Sequence, residues 1–247
     1  MHLFYVVMNS LKERVITFGC RLNSYESEII KSNLCNLEDE NVVVVHSCAV
    51  TNEAESQVKK EIKKLNTADP NLKIIVAGCA AQLDPETYSQ MPGVVKVLGN
   101  QDKLDPKSYI SDQKVIVSDI NKVKEINHAQ PLDDFSDKSR ASIEVQNGCN
   151  HSCTFCSITQ ARGNNRSLSL EAVIDQIRKF LLHGYNEVVF TGVDITDYGS
   201  DIFGGPSLGV LVKKVFRDIP DLKRLRLSSI DVGEIDDQLM ELILHEK

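Results

Sequence analysis

Short runs of β-branched and other apolar residues alternate with longer amphipathic segments in the first half of the chain. Strands are predicted at Val15–Phe18, Val42–Val45, Lys73–Ala77 and Val94–Leu98, and helices at Ser27–Lys31 and Glu55–Leu65. Continuous apolar strands that alternate with helices are typical of a parallel sheet covered on both faces. This half of the sequence therefore predicts an α/β domain with a parallel sheet.

A polar and acidic stretch from Asp119 to Arg140 interrupts this pattern, and a second series of strands and helices follows it. Strands are predicted at Ile143–Val145, Glu187–Phe190 and Arg224–Leu227, and helices at Leu170–Leu182, Leu208–Phe216 and Asp237–Leu244. We expect an N-terminal extension at 1–13, the first domain at 14–120, a linker at 121–138 and a second domain at 139–247. The few βα units of the second domain predict the first half of a partial (β/α) barrel.

The composition excludes several classes of protein. The 247 residues are 42% hydrophobic and 26% charged, as in ordinary soluble proteins. No apolar run approaches the roughly 20 residues of a membrane span, and the apolar start lacks the basic region and cleavage site of a secretory signal. We expect a cytoplasmic protein, with either Met1 or Met8 as its start. The net charge of −7 weighs against nucleic-acid binding.

Three of the seven cysteines give the strongest chemical signal in the sequence. Cys149, Cys153 and Cys156 are spaced C-x₃-C-x₂-C directly after a predicted strand. In a chain without secretory features, such cysteines indicate metal or redox chemistry more than disulfides. Three thiolates this close can hold three irons of a four-iron cluster and leave the fourth iron open to a substrate. The alternatives are a zinc site that includes His151, or three unrelated buried thiols.

Three other cysteines each follow a predicted strand of the first domain. Cys20, Cys48 and Cys79 are separated by about one βαβ unit of roughly 30 residues. Because the carboxyl ends of parallel strands share one edge of a sheet, the three thiols are expected in one crevice. We interpret them as the ligands of a second cluster with an open iron, although buried cysteines also favour strand ends for packing alone. Cys35 falls within a predicted helix and is interpreted as a packing residue.

The C-x₃-C-x₂-C motif, with Phe155 before its last cysteine, resembles that of the radical S-adenosylmethionine superfamily. The resemblance implies that the open iron binds S-adenosylmethionine, which an electron from the cluster cleaves to methionine and a 5′-deoxyadenosyl radical. It also implies that Phe155 belongs to the cofactor site. Gly192 and Asp194 would lie near the methionine end, and Ser228 and Ser229 would line the nucleoside pocket.

Three further segments, Thr17–Asn23, His46–Thr51 and Ala77–Gln82, are similar to the N-terminal signatures of methylthiotransferases. Thr191–Gly199 and Arg224–Asp231 resemble the branch that acts on N6-threonylcarbamoyladenosine beside the tRNA anticodon. The resemblance implies two 4Fe-4S clusters, the N-terminal one holding the sulfur. S-adenosylmethionine would methylate that sulfur, a second molecule would supply the radical, and a methylthio group would replace hydrogen at C2 of the adenine. The implied partners are tRNA and a low-potential electron donor such as flavodoxin or ferredoxin, with no membrane and a monomeric enzyme.

The sequence also departs from the family. Ile158-Thr159-Gln160 stands where the family has an Ile-Pro-aromatic stretch. The further barrel strands and the small basic tRNA-binding domain of the family are missing, so we expect a fragment of a longer product or a decayed reading frame. Two alternatives stay open: a sibling methylthiotransferase that acts on isopentenyladenosine tRNA or a ribosomal protein, or an inactive truncated iron–sulfur protein.

Several other side chains have both a candidate functional role and a simpler structural explanation. Tyr25, Tyr198 and Phe203 are candidates for stacking on bases, although single aromatics are more often part of a core. Arg162 and Arg166 are interpreted either as phosphate contacts or as solvated surface arginines. No catalytic residue is assigned.

Overall fold

The computed structural model describes residues 14–35, 37, 39–126 and 139–245. They fall into two units that are divided between Ser118 and Asp119. The predicted extension at 1–13, with both candidate start methionines, and residues 127–138 of the predicted linker lie outside the described residues. Within the described ranges, no helix is long and apolar enough to cross a membrane.

The first unit is built on a five-stranded sheet in the order β1-β2-β3-β4-β5, and every neighbouring pair is parallel. Its strands are β1 (Val15–Thr17), β2 (Val42–Ser47), β3 (Lys73–Gly78), β4 (Val94–Leu98) and β5 (Val115–Ile116). Its helices are α1 (Arg21–Leu34), α2 (Asn52–Ala68), α3 (Cys79–Leu83), α4 (Pro85–Ser89) and α5 (Pro106–Ile110), with a 3₁₀ turn at Asp102–Leu104.

Side chains from both faces of this sheet are buried. On one face, Val43 and Val45 of β2 pack in a cluster with Val58 and Ile62 of α2. On the other face, β2 contributes Val42 and Val44 to a cluster that includes residues of α1 and α5; these are Ile30, Leu34 and Tyr109. Because successive side chains of a strand alternate between faces, a run of four valines serves both clusters.

Helix α1 buries polar residues as well as apolar ones. Asn23, Glu26, Ser27, Glu28 and Asn33 are all buried on it. A helix whose buried side carries this many polar groups must supply them with hydrogen-bond partners, because an unpaired buried polar group is costly. Part of the helix therefore packs against other buried polar groups, which are described with the candidate site below.

The second unit has a three-stranded parallel sheet in the order β10-β9-β6 and a separate two-stranded antiparallel ladder of β7 and β8. Its strands are β6 (Ala141–Glu144), β7 (Gln146–Asn147), β8 (Arg166–Ser167), β9 (Glu187–Thr191) and β10 (Arg224–Leu227). Its helices are α6 (Ile158–Arg162), α7 (Leu170–Leu182), α8 (Leu208–Asp218) and α9 (Asp237–His245), with 3₁₀ turns at Ile120–Lys122, Ile195–Asp197 and Val232–Glu234. Serine hydroxyls cap α7 and α8: Ser169 accepts from the Ala172 N–H and Ser207 from the Val210 N–H.

Every strand and long helix predicted from the sequence is present, and the predicted α/β fold class is confirmed. The structure adds elements that the sequence pattern did not predict, notably the β7–β8 ladder and the short helix α6. Cys35 was wrongly interpreted as a packing residue: it follows the last residue of α1 and is exposed.

Candidate metal centres and cofactor site

In the first unit, three cysteines follow three neighbouring strands. Cys20 comes three residues after the end of β1, with Phe18 and Gly19 between, and Cys48 and Cys79 directly follow β2 and β3. Because β1, β2 and β3 are adjacent and parallel, these residues lie at the same edge of the sheet. Cys48 and Cys79 are buried, whereas Cys20 is exposed. The edge therefore carries three thiols, one of which is open to solvent.

The turn before Cys20 approaches Cys48 closely. Gly19 has φ +98°, and a Cβ atom at this position would lie 2.6 Å from the Sγ of Cys48. The side-chain amide of Asn23 donates to the carbonyl oxygens of Phe18 at 2.8 Å and Ser47 at 3.1 Å, so it joins the ends of β1 and β2. A glycine and one buried amide thus hold the first two cysteine-bearing segments together.

The turn before Cys79 is tied to the end of β2 in a similar way. Gly78 has φ +103°, and a Cβ atom there would lie 2.6 Å from the carbonyl oxygen of Ser47. The hydroxyl of Ser47 donates to the carbonyl oxygen of Ala77 at 2.6 Å and accepts from the Ala81 N–H at 3.3 Å. Ser47, which directly precedes Cys48, therefore connects the end of β2 to the helix that begins at Cys79.

A buried polar network lies beside Cys79, and the sequence analysis missed it. The side-chain amide of Asn100 donates to the Cys79 sulfur at 3.5 Å, and Lys103, which is fully buried, donates to Asn100 and Glu26. Two signals in the sequence point to it: polar residues on the buried side of α1, and His46 at the end of a run of valines. A histidine in an otherwise apolar buried strand needs partners, and here Lys103 is one of them.

In the second unit, the cysteine motif lies on a loop whose base is closed by the β7–β8 ladder. The motif follows β7 rather than the core strand β6, which corrects the predicted placement directly after Ile143–Val145. The Cys149 N–H donates to the carbonyl oxygen of Gly163 at 3.1 Å. Gly148 has φ +76°, and a Cβ atom there would lie 2.0 Å from the carbonyl oxygen of Asn164. The two ends of the loop are thus fixed by backbone contacts.

The three cysteines of this loop differ in exposure. Cys149 is half-buried, whereas Cys153 and Cys156 are exposed, as is Phe155 at 92%. The alternative of three unrelated buried thiols is therefore wrong, because two of the three have no apolar burial to explain them. Thiolates on an open loop with a fixed base fit the ligand set of an iron–sulfur cluster.

Cys149 lies beside a carboxylate and an imidazole. Its Sγ is 3.5 Å from the Oδ2 of Asp194, and the Nε2 of His151 is 3.2 Å from the same Asp194 oxygen and 2.8 Å from the Oε1 of Glu234. Burial raises the pKa of the Cys149 thiol to about 11, and the charge of Asp194 adds to the rise. The charges of Glu234 and Asp194 raise the pKa of His151.

Among the residues that the structure describes, one group of three metal-binding side chains has its ligand atoms within 4.8 Å of one another: Cys149, His151 and Asp194. This spacing suits a single ion, and the predicted zinc alternative with His151 stays open on it. The thiolates of a four-iron cluster bind separate irons, so Cys153 and Cys156 need not belong to such a tight group. Either way a metal must displace the proton of Cys149, because only the thiolate is a good ligand.

The predicted methionine-end residues Gly192 and Asp194 lie just after β9 and are held by Gln146, which the sequence analysis missed. The Oε1 of this fully buried glutamine accepts from the N–H groups of Val193 at 2.9 Å and Asp194 at 2.8 Å. Its Nε2 donates to the Gly148 carbonyl oxygen at 2.6 Å, directly before the motif. One side chain therefore fixes the loop after β9 to the start of the cysteine loop.

Ser228 and Ser229 follow β10, the strand next to β9. The Ser228 N–H donates to the carbonyl oxygen of Phe190 at 2.9 Å, and Ser229 is exposed. A cavity of about 600 Å³ in this unit has none of the predicted cofactor residues in its lining, which consists of Val210, Lys213, Lys214, Phe216, Arg217, Gln238 and Leu242. The role of the two serines in nucleoside binding therefore stays a prediction.

The burial of several other side chains bears on the alternative interpretations given for them from the sequence. Tyr25 and Tyr198 are buried and belong to the core, whereas Phe203 is fully exposed. Arg162 and Arg166 are both buried, so their interpretation as solvated surface arginines is wrong. Arg162 donates to the side-chain oxygen of Asn147 at 3.2 Å and so braces the β7 end of the cysteine loop.

Comparison with known proteins gives two family matches and several full-length relatives. Residues 12–99 match the uncharacterized protein family UPF0004, and residues 143–242 match the radical SAM superfamily. A Rickettsia prowazekii protein named threonylcarbamoyladenosine tRNA methylthiotransferase MtaB is 48% identical over 98% of this chain and 58% of its own length. A Thermotoga maritima protein of the same name is 38% identical over 92% of this chain and 54% of its own length. A Finegoldia magna tRNA-2-methylthio-N(6)-dimethylallyladenosine synthase is 26% identical over 92% of this chain and 52% of its own length.

The cysteine loop that follows β7 and is closed by the β7–β8 ladder, together with the match over 143–242, defines a radical SAM protein. Membership implies an iron–sulfur cluster and S-adenosylmethionine. Within that superfamily, the chain belongs to the methylthiotransferase family, as the resemblance of its motifs predicted. It spans about half the length of the curated relatives that it matches.

Proposed function

We propose that this chain carries the two metal centres of a tRNA methylthiotransferase that adds a methylthio group to C2 of N6-threonylcarbamoyladenosine beside the anticodon. The observation that carries the proposal is the presence of two separate three-cysteine sets in one chain, one at the strand ends of the first unit and one on the loop of the second. The proposed substrate is the one in the names of the relatives at 48% and 38% identity.

The donor sets suit two 4Fe-4S clusters. Cys20, Cys48 and Cys79 would hold one, and Cys149, Cys153 and Cys156 the other, each with one iron free of protein ligands. When bound, the second cluster supplies the electron that cleaves S-adenosylmethionine and so provides a radical able to remove hydrogen from an unactivated carbon. Phe155, Gly192, Asp194, Ser228 and Ser229 are the proposed cofactor contacts.

The chain's own residues supply orientation. Gln146 fixes the backbone of Asp194, whose carboxylate lies beside Cys149 and would bind the amino group of S-adenosylmethionine. Arg162 and the β7–β8 ladder hold the base of the cysteine loop, while Cys153 and Cys156 stay accessible to metal. In the first unit, Asn23 and Ser47 join the three cysteine-bearing turns.

The proposal includes domains at 14–120 and 139–247, an extension at 1–13 and a linker at 121–138. It also includes tRNA and a low-potential electron donor such as flavodoxin or ferredoxin as partners, a monomeric state and a cytoplasmic location.

The test is anaerobic reconstitution of the full chain with iron and sulfide, followed by measurement of iron and of 5′-deoxyadenosine after reduction with S-adenosylmethionine. Two clusters predict about eight irons per chain, and about four after triple alanine substitution of either cysteine set. Cys153→Ala is expected to abolish 5′-deoxyadenosine formation, and Cys35→Ala, at an exposed cysteine outside both sets, to change nothing.

The outcomes also separate the alternatives. An iron-loaded chain that forms no 5′-deoxyadenosine would indicate an inactive iron–sulfur protein. A chain that binds no iron would contradict the proposal as a whole. Mass analysis of digested tRNA distinguishes a methylthio group on threonylcarbamoyladenosine from one on isopentenyladenosine, and its absence from both would favour a protein substrate.

A further inference from the structure

The buried network of the first unit ends on the sulfur of Cys79. Cys79 is 3% exposed and begins α3, and the Nδ2 of Asn100 lies 3.5 Å from its Sγ. The Asn100 backbone N–H donates at 2.9 Å to the Oε1 of Gln82, which is on the same short helix. Asn100 is thus attached at two points to the segment that carries the sulfur.

The orientation of the Asn100 amide is determined by its other neighbour. Its Oδ1 lies 2.6 Å from the Nζ of Lys103. An ammonium group only donates hydrogen bonds, so the amide oxygen must face Lys103 and the NH₂ group must face the sulfur of Cys79. The contact with Cys79 is therefore a donated N–H···S hydrogen bond.

Lys103 itself is held in place by buried partners. Its Nζ contacts Asn100, the Oε2 of Glu26 at 2.8 Å and the Nε2 of His46 at 3.1 Å, which matches the three donors of an ammonium group. His46 Nε2 must accept, so Nδ1 carries the proton and donates to the Oγ of Ser27 at 2.8 Å. These contacts orient the Asn100 amide with its oxygen towards Lys103 and its NH₂ group towards Cys79.

We propose that Asn100 is a positioning residue for the N-terminal metal centre: held by Lys103, its amide donates a hydrogen bond to the Cys79 sulfur when that sulfur binds iron. The proposal rests on the proposed function, in which Cys79 is a cluster ligand. Hydrogen bonds to the sulfurs are one of the factors that set the reduction potential of an iron–sulfur cluster. A donor stabilises the more negative, reduced state, so Asn100 raises the potential of this cluster.

The experiment uses the full chain with Cys149, Cys153 and Cys156 replaced by alanine, so that only the N-terminal cluster can form. After anaerobic reconstitution, iron per chain is measured and the midpoint potential is determined by redox titration followed by electron paramagnetic resonance. Asn100→Leu removes the donor at similar volume, and its midpoint potential is expected to shift to more negative values at unchanged iron content. Asn100→Asp keeps the acceptor for Lys103 but replaces the donor by a carboxylate oxygen, and the same negative shift is expected.

The matched control is Asn33→Leu, which removes another buried amide of the same unit; Asn33 donates to the carbonyl oxygen of Leu104 at 3.3 Å. Its midpoint potential is expected to equal that of the parent. Equal potentials in the parent and both Asn100 variants would overturn the proposal. A parent that binds no iron would instead contradict the proposed role of Cys20, Cys48 and Cys79, and the inference would fall with it. Because aspartate retains the bond to Lys103, Asn100→Asp decides the matter if the leucine variant does not fold.

Discussion

The Cβ position of Gly19 lies 2.6 Å from the Sγ of Cys48, so the turn that leads to one cysteine is packed directly on another. Real Cβ atoms do not occur at this separation, and the positive φ of +98° adds strain for any residue other than glycine. The contact makes the spacing of Cys20 and Cys48 depend on the absence of a single methyl group.

Gly19→Ala is therefore expected to lower the iron content of the N-terminal centre by at least half and the free energy of unfolding by about 1–3 kcal/mol. The control is Gly184→Ala, because Gly184 also has a positive φ of +86° but nothing within 4 Å of its Cβ position. Gly184→Ala is expected to lower the free energy of unfolding through backbone strain and to leave the iron content unchanged. Equal iron content in both variants would show that the contact with Cys48 does not matter for metal binding.

Lys103→Met is expected to destabilise the first unit strongly. The side chains of Lys103 and Glu26 are 0% and 1% exposed, and removal of one partner leaves the other charge buried and uncompensated. Such losses cost about 3–5 kcal/mol, which chemical denaturation of the metal-free chain would measure.

Two further variants test this explanation. Glu26→Gln in the Lys103→Met background removes the uncompensated carboxylate charge and is expected to restore part of the lost stability. Lys73→Met breaks an exposed pair with Asp39 and should cost under about 1 kcal/mol. A double variant no more stable than Lys103→Met alone would contradict the uncompensated-charge explanation.

Gln146→Leu is expected to weaken the binding of S-adenosylmethionine about tenfold or more while the iron content stays near that of the parent. The substitution leaves the N–H groups of Val193 and Asp194 without their acceptor, and each such loss costs about 1–3 kcal/mol. Equilibrium binding of S-adenosylmethionine to the reconstituted chain measures the effect. Gln176→Leu, at a buried glutamine of α7, is the control, and an equal loss of binding there would point to general destabilisation.

The sequence was sufficient to locate the first cysteine set, because continuous apolar runs define parallel strands and parallel strands end at one edge. It was not sufficient to predict the burial of Lys103 or the hydrogen bonds by which Gln146 holds the loop after β9. Lys103 is buried only because its partners Glu26 and His46, which are 77 and 57 residues away in the chain, fold against it. A charged residue in a short polar segment gives no local signal of such burial, since the signal lies in tertiary contacts.

The lack of a local sequence signal also explains why the cysteine motif was predicted to follow the wrong strand. The strands β7 and β8 have two residues each, too few for a periodic pattern of apolar residues, so the ladder that closes the loop could not be predicted. Arg162 and Arg166 were undecided for a related reason: an arginine is buried only where fixed backbone and side-chain oxygens surround it, and here the closed loop provides them.

Two buried tyrosines of the first unit should respond differently to replacement by phenylalanine. The Tyr109 hydroxyl donates to the carbonyl oxygen of Lys103 at 2.7 Å, so Tyr109→Phe is expected to cost about 0.5–1.5 kcal/mol. The Tyr88 hydroxyl has no hydrogen-bond partner among the described residues, so Tyr88→Phe removes a desolvated polar group and should leave stability unchanged or higher. Urea unfolding at pH 8 measures both.

The same pair tests the pH dependence of stability. Burial raises the pKa of both phenols, and the nearby charges of Glu55 and Asp84 add to the rise at Tyr88. In the unfolded chain a tyrosine loses its proton near pH 10, so the folded state holds more protons than the unfolded state above that pH. Stability is therefore complete below about pH 10 and falls as the pH rises further. Each phenylalanine variant should show a shallower fall between pH 9 and 11, and a slope identical to that of the parent in both would show that these phenols ionise in the folded chain as they do in the unfolded one.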